Sequence, residues 1–485
     1  MPDILPWILE IKEWIWGIPL IVLILVVGIL LTIRLGAIQI RRLPLALRYM
    51  LSGEKDGHGE VSSFGALCTA LSATIGTGNI VGVATAIGLA GPGAMFWMCL
   101  AAFFGMATKY AEGLLAIKYR DIDKNGHVLG GTFYYIERGM KERFHHNFRW
   151  LAKIFAFFGA AAGLLGIGTI TQINGISNAI EDFADPGKSN TISIFGLQYT
   201  WAVVITAVVV TLCVGLVVIG GIKRIASVSQ IVVPFMVIIY FLCAVVVLVV
   251  NYRSIPNAFL QIFQGAFTGT AAVGGFAGAI LKDVIQKGVA RGIFSNESGL
   301  GSAPIAAAAA KTHWPARQGL VSMTGTFLDT IVICSLTGLC IITAGSWTEP
   351  GLEGVLVTSH AFRTGFFFAP DLGQFLLTLT LVFFAFTTIL GWDYYGERCI
   401  EYLFNKSRIS VKLYRWLYVL AVFAGPFLSV ELVWNIADIF NGLMAFPNLI
   451  ALFFLSGIVV QETKKFFTHL KNSPQSSAPP KEDDL

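Results

Sequence analysis

The length of its uncharged apolar segments constrains the fold of this chain more than any other feature. No charged side chain occurs between Val61 and Thr108. As a single helix that segment would reach roughly 72 Å at about 1.5 Å per residue, more than twice the hydrocarbon core of a bilayer. It must therefore turn back, and the sequence at 91–93, Gly-Pro-Gly, is the predicted turn. Because such segments are too long for barrel strands, we predict helices that span a membrane.

Composition supports this interpretation. Of 485 residues, 55% are hydrophobic and 13% are charged, whereas about 25% of the residues of a soluble domain are charged. This excludes a soluble protein. The seven cysteines are expected to be inert packing residues, since none has a metal-type spacing. We predict an all-α membrane protein with eleven spans, near residues 14–33, 63–90, 93–117, 152–180, 198–221, 226–250, 256–289, 318–343, 372–396, 415–430 and 435–460.

Eleven crossings would put the two termini on opposite sides of the membrane. Most of the 34 basic residues lie in one set of connections, which includes residues 282–317. The positive-inside rule then predicts an external N-terminus and a cytoplasmic C-terminus, in a multi-pass protein of the inner (cytoplasmic) membrane. Residues 463–485 form a predicted cytoplasmic tail, and its Pro- and Ser-rich end favours disorder.

Two of the predicted spans carry clusters of glycine and hydroxyl side chains, at 72–82 and at 265–275. Glycine costs about 1 kcal/mol in a helix relative to alanine, and irregular backbone within a membrane survives where it lines a wet cavity. Close helix packing through small residues is the alternative. We predict that both helices are broken at these clusters.

The two clusters predict an internal symmetry. If the first span is an addition, the breaks fall in the first and sixth of ten helices, and two halves of five helices must have opposite topology. The predicted organisation is an extra helix and its connection (1–60), a first inverted repeat (61–253), a second (254–462) and the tail (463–485).

Broken helices offer binding groups for a zwitterion. Freed amides at a new helix N-terminus attract an anion, and the freed carbonyls ligate a hard cation such as sodium. We expect the amides of Thr77 and Gly78 to take a carboxylate and the carbonyls of 273–275 to take an ammonium group. Gln172 and Asn174 either bind substrate or bridge helices, and Thr387 and Thr388 either bind a cation or bond back to their own helix.

Charged residues within the spans have two possible roles. Asp329 is either functional or a hydrogen-bonded anchor, and Lys109 and Glu112 are expected to form a structural pair. Asp393 ends its span and could face water. All seven histidines lie in polar connections or the tail, so a histidine proton relay is not expected.

Several motifs together resemble the alanine or glycine:cation symporter family; they are Gly76–Gly82, Gly91–Trp97, Lys109–Glu112, Gly130–Glu137, Phe294–Pro304 and Thr387–Cys399. The resemblance extends over about residues 10–465. It implies a leucine-transporter-type fold and sodium-coupled uptake of small neutral amino acids, chiefly alanine. The chain departs from the family's usual residues at Thr132, Phe133, Thr169, Ser298 and Asp393.

The resemblance also implies site residues. The sodium site would use the carbonyls of Ser72, Ile75 and Phe384 with the hydroxyls of Thr387 and Thr388, and Asn79 matches a position that coordinates a second sodium in related folds. The expected substrate-binding residues are Thr77, Gly78, Asn79, Gln172, Asn174, Val273, Gly274, Gly275, Phe276 and Trp392.

Transport by alternating access, and not catalysis, is therefore the predicted function, with co-transported sodium as the only cofactor. A proton-coupled permease that uses Asp329 or Asp393 is the alternative, followed by a ligand-gated channel. A membrane enzyme is disfavoured because the spans contain no nucleophile and base constellation. The expected partners are a small neutral amino acid, sodium and the lipid bilayer, with neither a nucleic acid nor an obligate protein partner.

Overall fold

The computed structural model describes residues 5–52, 57–194, 196–268, 277–428 and 430–472. The first of these parts is helical and apolar. Its helices are α1 (Leu5–Ile15), α2 (Ile18–Arg34), α3 (Ile38–Arg41) and α4 (Leu43–Leu51). Pro19 lies in the first turn of α2, where its missing N–H costs no hydrogen bond.

The next helices run from the long uncharged segment to the middle of the chain. They are α5 (Ser63–Thr74), α6 (Val83–Ala90), α7 (Ala94–Lys118), α8 (Thr132–Tyr134), α9 (Met140–Phe144), α10 (Arg149–Leu165), α11 (Ile170–Ala184), α12 (Trp201–Val218) and α13 (Gly221–Val250). Two antiparallel hairpins interrupt them, β1 (Asp121–Ile122) with β2 (Val128–Leu129) and β3 (Thr191–Ile194) with β4 (Leu197–Thr200). The predicted turn at 91–93 is confirmed, since Gly91 ends α6 with a φ of +77°.

The remaining helices are α14 (Ile255–Thr268), α15 (Ala277–Asn296), α16 (Ala303–Ala307), α17 (Pro315–Thr326), α18 (Ser335–Thr343), α19 (Val355–Gly365), α20 (Pro370–Leu403), α21 (Arg408–Ala424) and α22 (Val430–Asn472). Segments of π-helix occupy Gly78–Gly82, Tyr135–Gly139 and Phe327–Cys334. The all-α prediction is confirmed. Within the described ranges, eight helical stretches are long and apolar enough to cross a membrane, or nine if the bent pair α5 and 78–90 counts as one span. The count of eleven and the inverted repeats stay predictions.

The predicted span at 256–289 is wrong as one continuous helix. The backbone of Gly265 in α14 lies against Gly93, at the turn between α6 and α7. α15 lies against that same end of the bundle, because a Cβ on Gly288 would lie 2.5 Å from the Ala94 carbonyl oxygen, and Gln286 Nε2 donates to the Trp16 carbonyl over 3.1 Å. The apolar sequence therefore belongs to two helices, and the second of them runs from this end towards the middle of the bundle.

The position of α15 also corrects the side of the membrane that is predicted for two basic residues. Lys282 and Lys287 line one cavity together with Lys12, at the end where the N-terminal helix starts. The sequence pattern instead predicts the opposite, C-terminal side for both lysines. That prediction is wrong because α14 and α15 do not form the single span at 256–289 that would carry both lysines across.

Candidate functional site

The first predicted break is present. α5 ends at Thr74, the next helical residues begin at Gly78, and the two axes differ by 52°. Side chains take up the freed amides: Asn79 Oδ1 accepts from the Gly76 N–H over 2.9 Å, and Gln172 Oε1 accepts from the Thr77 N–H over 3.1 Å. Gly76 is required here, since a Cβ at that position would lie 2.5 Å from Thr388 Oγ1.

Asp329 joins the first break to two other elements. It lies fully buried in the π-helical segment Phe327–Cys334. Asn79 Nδ2 donates to its Oδ1 over 2.7 Å, and Ser295 and Thr330 donate to its Oδ2 over 2.9 and 2.7 Å. Because three donors satisfy both carboxylate oxygens, this geometry supports the reading of Asp329 as an anchor.

A second break, which the sequence reasoning missed, lies at residues 297–302. α15 ends at Asn296, and Glu297, Gly299 and Gly301 have φ values of +57°, +89° and +83°. A left-handed conformation is strained for Glu297, as is common at functional sites. This break faces the first one, since a Cβ on Gly78 would lie 3.3 Å from Ser295 Cα.

Only part of the predicted second break, at 265–275, lies within the residues that the structure describes. Its first residues, including Gly265, are helical in α14. The other predicted residues, Val273, Gly274, Gly275 and Phe276, lie outside the described residues. The sequence does carry a signal for the break at 297–302, because residues 295–302 combine two glycines with five polar side chains.

Buried side chains hold the second break in place. Lys109 Nζ donates to the Asn296 carbonyl over 2.9 Å, and Glu112 Oε1 accepts from the Gly299 N–H over 3.1 Å. Lys109 and Glu112 thus each bind backbone of the second break. Thr132, which differs from the residue that the family usually has at this position, donates to the Gly301 carbonyl.

Trp392 connects this break to α20. Its Nε1 donates to Glu297 Oε1 over 2.8 Å, and both residues are buried. Glu112, Glu297 and Asp329 are buried carboxyl residues near the buried ammonium group of Lys109. Asp393 is buried as well, so the expectation that it could face water is wrong.

The predicted sodium ligands come together in part. Thr388 Oγ1 lies 3.2 Å from the Ile75 carbonyl and 3.0 Å from the Phe384 carbonyl, so it connects the first break with α20. Thr387 Oγ1 also contacts the Phe384 carbonyl, over 3.0 Å, but its other neighbours are the Phe383 carbonyl of its own helix, at 3.0 Å, and Met236 Sδ of α13, at 3.6 Å. The hydroxyl of Ser72 donates to Thr69 of its own helix.

Gln172 and Asn174 occupy different places. Gln172 binds the first break and also donates to the Ile167 carbonyl over 2.9 Å, at the irregular junction of α10 and α11. Asn174 donates to the Leu428 carbonyl over 3.3 Å and lines a cavity of about 960 Å³. Arg291 and Trp434 line the same cavity. We call this cavity the vestibule, because it lies next to the first break.

Comparison with known proteins agrees with this architecture. The model of the sodium:alanine symporter family matches residues 1–479. An uncharacterized transporter of Haemophilus influenzae is 54% identical, over 95% of this chain and 96% of its own length. The sodium/alanine symporter AgcS of Methanococcus maripaludis is 48% identical, over 98% of this chain and 100% of its own length.

The likeness extends to a solved structure. The transporter MhsT in complex with L-phenylalanine superposes with a TM-score of 0.54 at 13% identity, covering 84% of this chain and 99% of that chain. At this identity the likeness shows the fold alone, and the fold is the leucine-transporter type that the resemblance implied. The match over nearly the whole length of its relatives shows that the chain belongs to the sodium:alanine symporter family, whose members are transporters and not enzymes.

Proposed function

We propose that this protein carries a small neutral amino acid across the cytoplasmic membrane together with sodium, by alternating access. The observation that carries the proposal is the pair of facing backbone breaks, at 75–77 and 297–302, deep among buried side chains. Breaks of this kind leave backbone groups outside the helical hydrogen-bond pattern, where a zwitterion and its ion can bind without a long charged side chain. At the first break a bound carboxylate would compete with Asn79 and Gln172 for the Gly76 and Thr77 amides.

Sodium is the proposed coupling ion because of the oxygen atoms around Thr388. Its hydroxyl and the carbonyls of Ile75 and Phe384 are neutral ligands, and hard cations prefer oxygen. They connect the broken helix to α20, so an ion there would hold the two elements together. This is the kind of coupling that alternating access requires, since the ion then favours one arrangement of the helices.

An alanine-sized substrate is proposed from the small residues at the first break. Gly76 and Gly78 lie there, and the nearest neighbours of a Cβ on Gly78 belong to Phe294 and Ser295, at 3.3 to 3.6 Å. Little room is left for a long side chain. Relatives differ in their named substrates, since a protein of Bacillus subtilis that is 36% identical is named a probable sodium/glutamine symporter. The preference of this protein for alanine over glycine or serine is therefore a separate proposal.

Proton coupling is the second candidate, and Asp393 is the observation that favours it. Both of its carboxyl oxygens are buried without a hydrogen-bond partner in the described part of the chain. The next turn of α20 carries Glu397, which Arg415 binds through two nitrogen atoms. Two buried carboxyl groups thus lie beside one guanidinium group, and proton relays in transporters are built from acidic residues of this kind.

The two candidates differ in what drives uptake. Labelled alanine is added to proteoliposomes that contain the full-length protein, with gradients of sodium, potassium or pH imposed one at a time. The proposal expects accumulation with the sodium gradient only. Accumulation with a pH gradient in the absence of sodium would instead support the proton-coupled permease. The proposed orientation, N-terminus outside and C-terminus in the cytoplasm, is checked by labelling single cysteines placed at each end.

A further inference from the structure

A second large cavity lies at the other end of the bundle from the vestibule, where α20 ends and α21 begins. Its volume is about 690 Å³. We call it the basic pocket, because five lysine and arginine side chains and one histidine line it against three acidic side chains. These are Arg398, Lys406, Arg408, Lys412, Arg415 and His127, and Asp123, Glu397 and Glu401.

The basic side chains of the pocket fall into two groups. Arg398 is paired with Glu401 and Arg415 with Glu397. In contrast, Lys406, Arg408 and Lys412 are exposed and take part in no ion pair among the residues that the structure describes. Asp123, the remaining acidic residue, accepts hydrogen bonds from the backbone N–H groups of its own turn. The pocket therefore has a surplus of positive charge along its rim.

An unusual backbone conformation fixes one of these cations. Asn405 and Lys406 have φ values of +49° and +67°, although neither is glycine. Arg149 Nη2 donates to Asn405 Oδ1 over 2.7 Å, and the Lys406 N–H donates to the Glu401 carbonyl over 2.7 Å. Two successive strained residues persist only where their surroundings hold them, and here they direct the chain around the rim of the pocket.

The other wall of the pocket is apolar and faces outward. Ile219, just after α12, and Trp416 of α21 are 61% and 59% exposed, and Val419 lies one turn beyond Trp416. On α21, residues 408, 412, 416 and 419 share one face of the helix, so cations lie at its start and apolar side chains follow. An exposed tryptophan beside cations is typical of the membrane–water interface.

We propose that the basic pocket binds one anionic phospholipid, its phosphate held by Lys406, Arg408 and Lys412 and one acyl chain lying along Ile219, Trp416 and Val419. A free phosphate ion shares the headgroup chemistry, but it would make no use of the apolar wall. Basic pockets between membrane helices bind anionic headgroups in this way. The site is separate from the two breaks, so the inference does not depend on the proposed function.

Native mass spectrometry of the detergent-purified protein tests the proposal, with dioleoylphosphatidylglycerol and dioleoylphosphatidylcholine as probes. The wild type is expected to retain one phosphatidylglycerol in preference to phosphatidylcholine. Combined K406Q, R408Q and K412Q substitutions should lower that preference on the order of 100-fold, since each cation contributes about fivefold. The matched control is K141Q, R143Q and K153Q, which removes the same charge from exposed residues outside the pocket and should leave the preference unchanged.

Two further measurements keep the proposal open to refutation. The melting temperature of the wild type should rise with phosphatidylglycerol and not with phosphatidylcholine, a readout that needs no variant. Inorganic phosphate at millimolar concentration should fail to displace the lipid. The assignment would be overturned if the triple variant and the wild type retained phosphatidylglycerol equally, or if phosphate displaced the lipid completely. Binding of a protein partner at the same residues in place of lipid would also overturn it.

Discussion

Replacing Thr388 with valine tests the proposed ion site at a single atom. Valine keeps the shape of the side chain and removes Oγ1, which lies 3.2 Å from the Ile75 carbonyl and 3.0 Å from the Phe384 carbonyl. The hydroxyl is buried, so water cannot replace it without a rearrangement. An interaction between a charged and a polar group contributes about 1.5–3 kcal/mol. At about 1.4 kcal/mol per factor of ten, the sodium concentration for half-maximal uptake should rise roughly 10- to 150-fold.

Thr387→Val is the matched control, because the two positions are adjacent on α20 and the chemical change is the same. Thr387 Oγ1 contacts Met236 Sδ and carbonyls of its own helix. Uptake of labelled alanine is measured against external sodium for both variants. We expect the control to change the sodium dependence by less than about threefold, since it removes no contact with the first break. Equal effects of the two substitutions, or an unchanged sodium dependence in Thr388→Val, would refute the assignment.

Three other changes give distinct outcomes. Gly76→Ala should abolish uptake because its Cβ would lie 2.5 Å from Thr388 Oγ1, whereas Gly82→Ala, with no atom within 4 Å, should transport at close to the wild-type rate in the same uptake assay. Asp329→Asn should retain sodium-driven accumulation but lower the melting temperature, since one of its three accepted hydrogen bonds, about 1–3 kcal/mol, is lost; loss of accumulation with retained alanine exchange would instead favour proton coupling. Hydrogen bonds to Glu401 and Glu60 raise the pKa of His127 to about 9, above an unfolded value of about 6.5. The resulting stabilisation is complete below about pH 6.5 and is lost as the pH rises through about 9, so the melting temperature should fall over that range in the wild type and less in His127→Gln.

The sequence predicted the first break well because its signals are local. Three glycines and several polar side chains lie within residues 72–82 of one apolar segment, and the turn at 91–93 fixes where that segment folds back. The partners of the break could not be predicted in the same way. Gln172 is 95 residues from Thr77, and Asp329 is 250 residues from Asn79. Only the packing of the helices brings each pair together.

The second break shows where apolar pattern fails as a guide. Residues 265–275 are rich in glycine and lie in an apolar stretch, but the helices on either side of them, α14 and α15, both lie against residues 93 and 94 at one end of the bundle. The break at 297–302 follows a helix that carries Lys282, Lys287 and Arg291. Those charges indicated a loop outside the membrane. In the folded chain Arg291 instead pairs with Asp438, with 3.6 Å between Nη2 and Oδ2, and stacks on Trp434.

The central claim is that movement of a small neutral amino acid is coupled to sodium. The most direct test is to measure the fluxes of labelled sodium and labelled alanine simultaneously, in the same proteoliposomes, over a range of imposed sodium gradients. The account predicts a fixed ratio of sodium to alanine at every gradient and no accumulation of alanine without sodium. Uphill alanine uptake driven by a pH gradient in sodium-free buffer, or a sodium flux with no fixed ratio to alanine, would contradict it.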